Sequence, residues 1–182
     1  MIKIFDLLFR IKSAVLEAYI DEENMEIVWG VEIEGEPCQQ DFSRWEPSLV
    51  SESLFRTKKG ELNTWRDIAE KSTKWDSPYD LGGKPYATLY VFEHEPIYNC
   101  NVKLYSKSEE LHFYLNGQCD VNWDSKYGKN LDLKIDCKIE FSGIWFRRES
   151  EINSRKLLSQ FCTESDFSYT LSKNGISLMV PK

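Results

Sequence analysis

Histidine is scarce in this sequence of 182 residues: His94 and His112 are the only imidazoles, which leaves general acid–base or metal chemistry few arrangements. His94 lies in Glu93-His94-Glu95. In an extended segment the two glutamates point away from the histidine, so the three cannot converge on one ligand, and the triplet reads as a polar strand end before Pro96. His112 shares a face with Tyr114, opposite Phe113. If a three-residue loop at 116–118 folds the chain back, Tyr114 meets Asp120 and His112 meets Asn122, a polar cluster such as the solvent side of any hairpin carries. Asp120-x-Asn122-x-Asp124 opens like a calcium loop, in which alternate oxygen ligands converge on a hard cation. Ser125 then stands where the turn glycine belongs and Leu131 where a bidentate glutamate belongs, so no metal is expected there.

Nucleophile and phosphate signatures fail as well. There is no Gly-x-Ser-x-Gly, and Gly82-Gly83 runs into Lys84-Pro85 rather than into a helix N-terminus. The five cysteines, Cys38, Cys100, Cys119, Cys137 and Cys162, are odd in number and lack Cys-x-x-Cys spacing. At least three fall on apolar strand positions, which makes them buried, reduced thiols and points to a cytoplasmic location. No catalytic residue, metal or cofactor is expected. Lys3, Asp6, Arg10 and Lys12 interrupt the first apolar run below signal-peptide length, so the mature chain is expected to start at Met1. No stretch nears the roughly 18 apolar residues of a membrane span.

The elements that must position any site are strands. Met25, Ile27, Trp29, Val31 and Ile33 alternate with Glu26, Val28, Gly30, Glu32 and Glu34, and the segment from Ala14 to Ile20 does the same. A turn at 21–24 would pair Ile20 with Met25, Ala18 with Ile27 and Leu16 with Trp29. The longest alternation runs from Leu131 to Phe141. Tyr86–Phe92 is apolar almost throughout and reads as a central strand covered on both faces. Tyr98 to Leu104 follows as a strand, then the 111–123 hairpin, in which Trp123 faces the core. At the end, Tyr169 and Leu171 face Val180 and Leu178 across Asn174-Gly175. Helical signal is confined to 150–161, with a Ser cap, and weakly to 63–70. Residues 35–63 and 71–85 read as long connections. The expected fold is mainly β in one domain spanning 1–182: an antiparallel sandwich or curved open sheet of sequential hairpins, about eight to ten strands with one or two short helices.

Charge is the one pronounced asymmetry. Residues 13–52 hold eleven acids against Arg44 alone, a net of −10, while the remainder holds 19 acids and 22 bases. Glu17, Glu26, Glu32 and Glu34 should project from one outer face with Tyr19 and Val28, and Glu22 and Glu23 should lie at the turn. Such a face steers a basic protein partner and repels phosphates, so nucleic acid is excluded as its ligand; Lys58-Lys59, Arg147-Arg148 and Arg155-Lys156 are too small to reverse that. The expected function is therefore non-enzymatic binding of a basic protein. Small acidic chains with reduced cysteines and no catalytic motif resemble, in composition, bacterial immunity proteins that neutralise cationic toxins. The competing function is carbohydrate binding or processing on a β-sandwich, supported by six Trp and nine Tyr, and it requires two or more of Trp45, Trp65, Trp75 and Trp145 to stand exposed and coplanar.

Overall fold

Period-two alternation gives each strand one dry face, and the dry faces here close over a common core. The computed structural model describes residues 1–40, 43–122, 127–146, 149–172 and 174–182. Fifteen strands form among them: β1 (Ile2–Ile4), β2 (Leu7–Phe9), β3 (Ile11–Asp21), β4 (Glu26–Gly35), β5 (Cys38–Gln40), β6 (Ser43–Trp45), β7 (Ser48–Lys58), β8 (Ser72–Trp75), β9 (Thr88–Tyr90), β10 (His94–Lys107), β11 (Glu110–Val121), β12 (Gly128–Lys138), β13 (Glu140–Phe146), β14 (Phe167–Leu171) and β15 (Ser177–Pro181). Twelve lie side by side in the order β14-β15-β13-β3-β4-β7-β9-β10-β11-β12-β1-β2, with β8 added on β10 and the β5–β6 pair apart. Every pairing is antiparallel except β3 with β13. The fold is mainly β, a large curled sheet with short helices.

Two strands carry the curl. His94, Glu95 and Pro96 of β10 pair with β9, and from Ile97 onward the strand pairs with β11. Past Ile139, β12 runs directly into β13, which joins the opposite half of the sheet beside β3. Ile4, Leu104, Phe113 and Leu133 from one half thus meet Leu16, Trp29, Ile33 and Met179 from the other in a continuous buried cluster. Each such side chain contributes about 1.5–3 kcal/mol on burial. α1 (Glu151–Leu158) is capped by Ser150, whose Oγ accepts from the Asn153 N–H at 3.3 Å, and it buries Leu158 with Phe161 just beyond it. The weaker helical segment forms a 3-10 turn at Trp65–Glu70, capped by Thr64 with Asp67 reaching back.

Several sequence expectations need correction. The β3–β4 register lies two residues from the expected one, with Ile20 opposite Ile27, Ala18 opposite Trp29 and Leu16 opposite Val31. The shift is even, so the faces are unchanged; Met25, at φ 52°, belongs to the turn. Residues 111–121 form one continuous strand, not a hairpin: the turn lies at Ser108–Glu109, both at positive φ, and His112 pairs with Tyr105 and Lys138 rather than Asn122. Trp123 lies outside the described residues. The apolar stretch 86–92 yields only the short β9, and Tyr86, Tyr90 and Phe92 are exposed, so one face alone is covered. Within 35–63 lies β7, an eleven-residue strand between β4 and β9. In the last hairpin Tyr169 pairs with Met179 and Leu171 with Ser177, a shift of one, so Met179 and Ser177 turn inward rather than Leu178 and Val180.

Candidate interaction surface

The outer face of β3–β4 is built as the alternation requires. Across the two strands the outward pairs are Ser13–Glu34, Val15–Glu32, Glu17–Gly30, Tyr19–Val28 and Asp21–Glu26. Glu17, Tyr19 and Glu32 are exposed, Glu26 and Glu34 half-exposed, and Glu22 and Glu23 stand exposed at the turn. Val28 and Gly30 are exceptions, outward in register but buried. Because β13 lies parallel beside β3, Glu140 comes opposite Val15 and joins the same face. Sequence spacing gave no sign of it, since Glu140 and Val15 are 125 residues apart and meet only through strand order.

The face is less uniformly acidic than charge counting implies. Arg56, from β7, reaches Glu26 at 3.0 Å and Asp21 at 3.4 Å. Lys12 binds Glu34 at 2.7 Å, and that hydrogen bond holds the Glu34 carboxyl below the usual carboxylate range. Asp21 is likewise held down, first by hydrogen bonds from the Asn24 side chain and backbone at 2.9 and 3.2 Å. These are solvent-exposed pairs and contribute little to stability, but they cancel field. Glu17, Glu22, Glu23, Glu32 and Glu140 have no ion-pair partner among the described residues. These five leave uncompensated charge along β13–β3–β4 and at the turn.

At the turn end of this face lies a cleft of about 530 Å³. Tyr19 and Trp145 are register partners on adjacent strands and stand on its floor. Leu157 of α1 and Ile176 line it, and Asp21, Glu22 and Glu23 form its acidic margin. The remaining half of the sheet is mixed in charge, with exposed Asp132 and Asp136 among its lysines. In one cross-strand row Lys74, Asn101, Asn116, Lys134 and Lys3 follow one another, with Lys103 and Tyr114 in the next row. All four lysines are exposed, and the ammonium groups of Lys103 and Lys134 lie 5.2 and 5.5 Å from the centre of the Tyr114 ring. The two halves enclose one core, so their outer faces look in opposite directions.

The other chemical candidates resolve into structural roles. His94 packs edge-on to Tyr90 and His112 lies beside Tyr105, with ring centres 5.5 and 5.2 Å apart. A backbone irregularity at Asn99, φ 51°, reverses the facing of β10, so Glu95 points inward, accepts from the Asn122 N–H and side-chain amide at 3.3 and 3.2 Å, and has its pKa raised by burial. Asp120 accepts from the Tyr98 hydroxyl at 2.5 Å and the Asn130 N–H at 3.0 Å, while burial first and Asp120 second push the Tyr98 pKa up to about 12. No group of three potential metal ligands converges among the described residues; Asp124 and Ser125 lie outside them. Trp45 and Trp75 are buried and Trp65 and Trp145 half-buried, so no exposed, coplanar pair of these tryptophans forms a stacking platform. No helix among the described residues is long and apolar enough to cross a membrane. Comparison with known proteins finds no matching family model, no matching curated protein and no matching solved structure.

Proposed function

We propose that this chain is a non-enzymatic, cytoplasmic binding protein whose β13–β3–β4 face docks a basic protein, in the manner of an immunity protein covering a cationic toxin. The observation that carries the reading is the set of five carboxylates without ion-pair partners among the described residues, Glu17, Glu22, Glu23, Glu32 and Glu140, on one face of a molecule whose lysine row looks the other way. Fields of this kind raise the encounter rate of cationic partners, orient them, and exclude polyanions. Val15, Tyr19 and the exposed Val50 supply the apolar area such a contact needs. Buried thiols suit a reducing compartment: burial pushes Cys100, Cys119 and Cys162 up to about 12, which suppresses the thiolate that forms disulfides.

The test uses paired baits. Wild type and Glu17→Lys/Glu32→Lys are used for affinity capture from the source cell, and each captured basic protein is then measured for association rate between about 50 and 500 mM salt. The reading expects a protein lost with the reversed bait, whose association with wild type slows at least about tenfold over that range. Equal capture by both baits, or a rate indifferent to salt, refutes it.

A further inference from the structure

We propose that the cleft between Tyr19 and Trp145 receives an arginine side chain of the basic partner; this rests on the docking reading above and makes the turn end of the face its anchoring point. The cleft has three parts, each matching one part of arginine. Leu157 and Ile176, the latter 37% exposed, give apolar walls for the methylene stem. Tyr19, 44% exposed, and Trp145 offer aromatic surface from neighbouring strands, on which a planar guanidinium stacks more readily than a compact, strongly hydrated ammonium. Glu22 and Glu23 at the margin are without ion-pair partners among the described residues and can take the remaining donors in a forked contact.

The other charges around the cleft leave this pairing open. Asp21 is already engaged by Asn24 and Arg56; Lys156 lines an adjoining hollow with Glu22 and Glu149 and, among the described residues, makes no ion pair with either. The volume of about 530 Å³ is ample for an arginine side chain. A lysine would satisfy the carboxylates but gain less from the aromatic floor. Arginine is therefore the side chain that uses the whole surface.

The full chain is labelled with ¹⁵N at tryptophan, and the indole N–H signal of Trp145, identified by its loss in Trp145→Phe, is followed during titration with hexa-arginine, hexa-lysine and hexa-glutamate peptides. Hexa-arginine is expected to shift that signal saturably, hexa-lysine at least about fivefold more weakly, and hexa-glutamate not at all. Glu22→Gln/Glu23→Gln and Tyr19→Ala should each weaken hexa-arginine about tenfold, whereas Tyr19→Phe, which keeps the ring, should bind as wild type. No shift with hexa-arginine, equal binding of hexa-lysine, or an unaffected Glu22→Gln/Glu23→Gln variant overturns the proposal. Glu17→Lys/Glu32→Lys leaves the cleft intact, so loss of the captured partner in that variant alongside a silent cleft means that the arginine assignment fails while the docking face stands. A responsive cleft with unchanged capture means the reverse.

Discussion

Replacing Gly117 with alanine tests whether β11 runs unbroken beneath the lysine row or turns at Asn116-Gly117. In the structure a Cβ at residue 117 falls far inside contact distance of the Cys100 Sγ and 3.1 Å from both the Cys100 Cα and the Tyr98 carbonyl oxygen. Two of those three neighbours are backbone of β10, which cannot move without breaking the pairing of Val102 with Leu115 and Tyr98 with Gln118. Alanine returns about 0.5–1 kcal/mol by restricting the unfolded chain, against a packing cost that these close backbone contacts put at the upper end of the usual range, about 3 kcal/mol, so Gly117→Ala should lose about 2 kcal/mol net. In an exposed Asn-Gly turn the same change would cost about 1 kcal/mol, from the positive φ that glycine takes there, with no coupling to Cys100. Urea denaturation followed by circular dichroism gives the difference, with an unchanged m confirming a two-state comparison. Cys100→Ala removes the nearest clashing atom, so the double variant should be about 1 kcal/mol better than the sum of the single changes. A Gly117→Ala loss below about 0.5 kcal/mol, or strict additivity with Cys100→Ala, refutes the close approach of β10 and β11.

The two tryptophans of the first sheet half should respond differently to phenylalanine. Trp29 is fully buried and donates to the Thr57 hydroxyl at 2.9 Å, so Trp29→Phe should cost about 2–4 kcal/mol, whereas the Trp145 indole nitrogen has no acceptor among the described residues and Trp145→Phe should cost less than about 1 kcal/mol; equal losses in urea titrations would count against this packing. Glu95 binds its proton more tightly folded than unfolded, so its contribution is fully present below the unfolded carboxyl pKa near 4.3 and declines as pH rises through the raised folded value. The stability of wild type relative to Glu95→Gln should accordingly fall as pH rises above about 4.3, and a pH-independent difference would show the carboxyl to be solvated. Cys100, Cys119 and Cys162, pushed up to about 12, and Cys137, pushed up to about 11, should resist iodoacetamide at pH 8 until urea unfolds the chain; mass spectra showing two or more alkylated thiols in native protein within minutes would contradict their burial.

What could be read from residues alone follows one physical rule: long alternations are legible, and interruptions are not. The β3–β4 pair and β12 were visible because their inward positions are uniformly apolar. β7 was hidden because two of its inward residues, Ser51 and Thr57, are polar and satisfied only by distant partners, the Tyr86 carbonyl at 2.6 Å and the Trp29 indole. Asn116-Gly117 carries the chemistry of a tight turn, yet glycine there serves close packing against β10, and a sequence does not distinguish the two uses of a missing side chain. The last hairpin failed for a subtler reason. Leu178 and Val180 are as apolar as Met179, so hydrophobic pattern alone could not choose between registers one residue apart, and the loop decided.

Charge shows the same limit more sharply, because an electrostatic surface is a property of strand order rather than of sequence neighbourhood. Counting residues 13–52 gave one acidic block, but Arg56, on a strand the pattern did not disclose, binds Glu26 and Asp21. Glu140 enters the face from the other end of the chain because β13 lies parallel to β3. Lys3, Lys74, Lys103 and Lys134 look isolated along the sequence and become neighbours only when β1, β8, β10 and β12 are set around β11. Strand order thus sets an asymmetry that the net charge of −7 does not convey: carboxylates without ion-pair partners among the described residues gather on one outer face, while on the other Lys3, Lys74, Lys103 and Lys134 stand among Asp132 and Asp136, so an approaching cation experiences torque as well as attraction. A face that both draws and orients its partner can place one side chain into a cleft at its end, and a uniformly acidic surface of the same total charge could not.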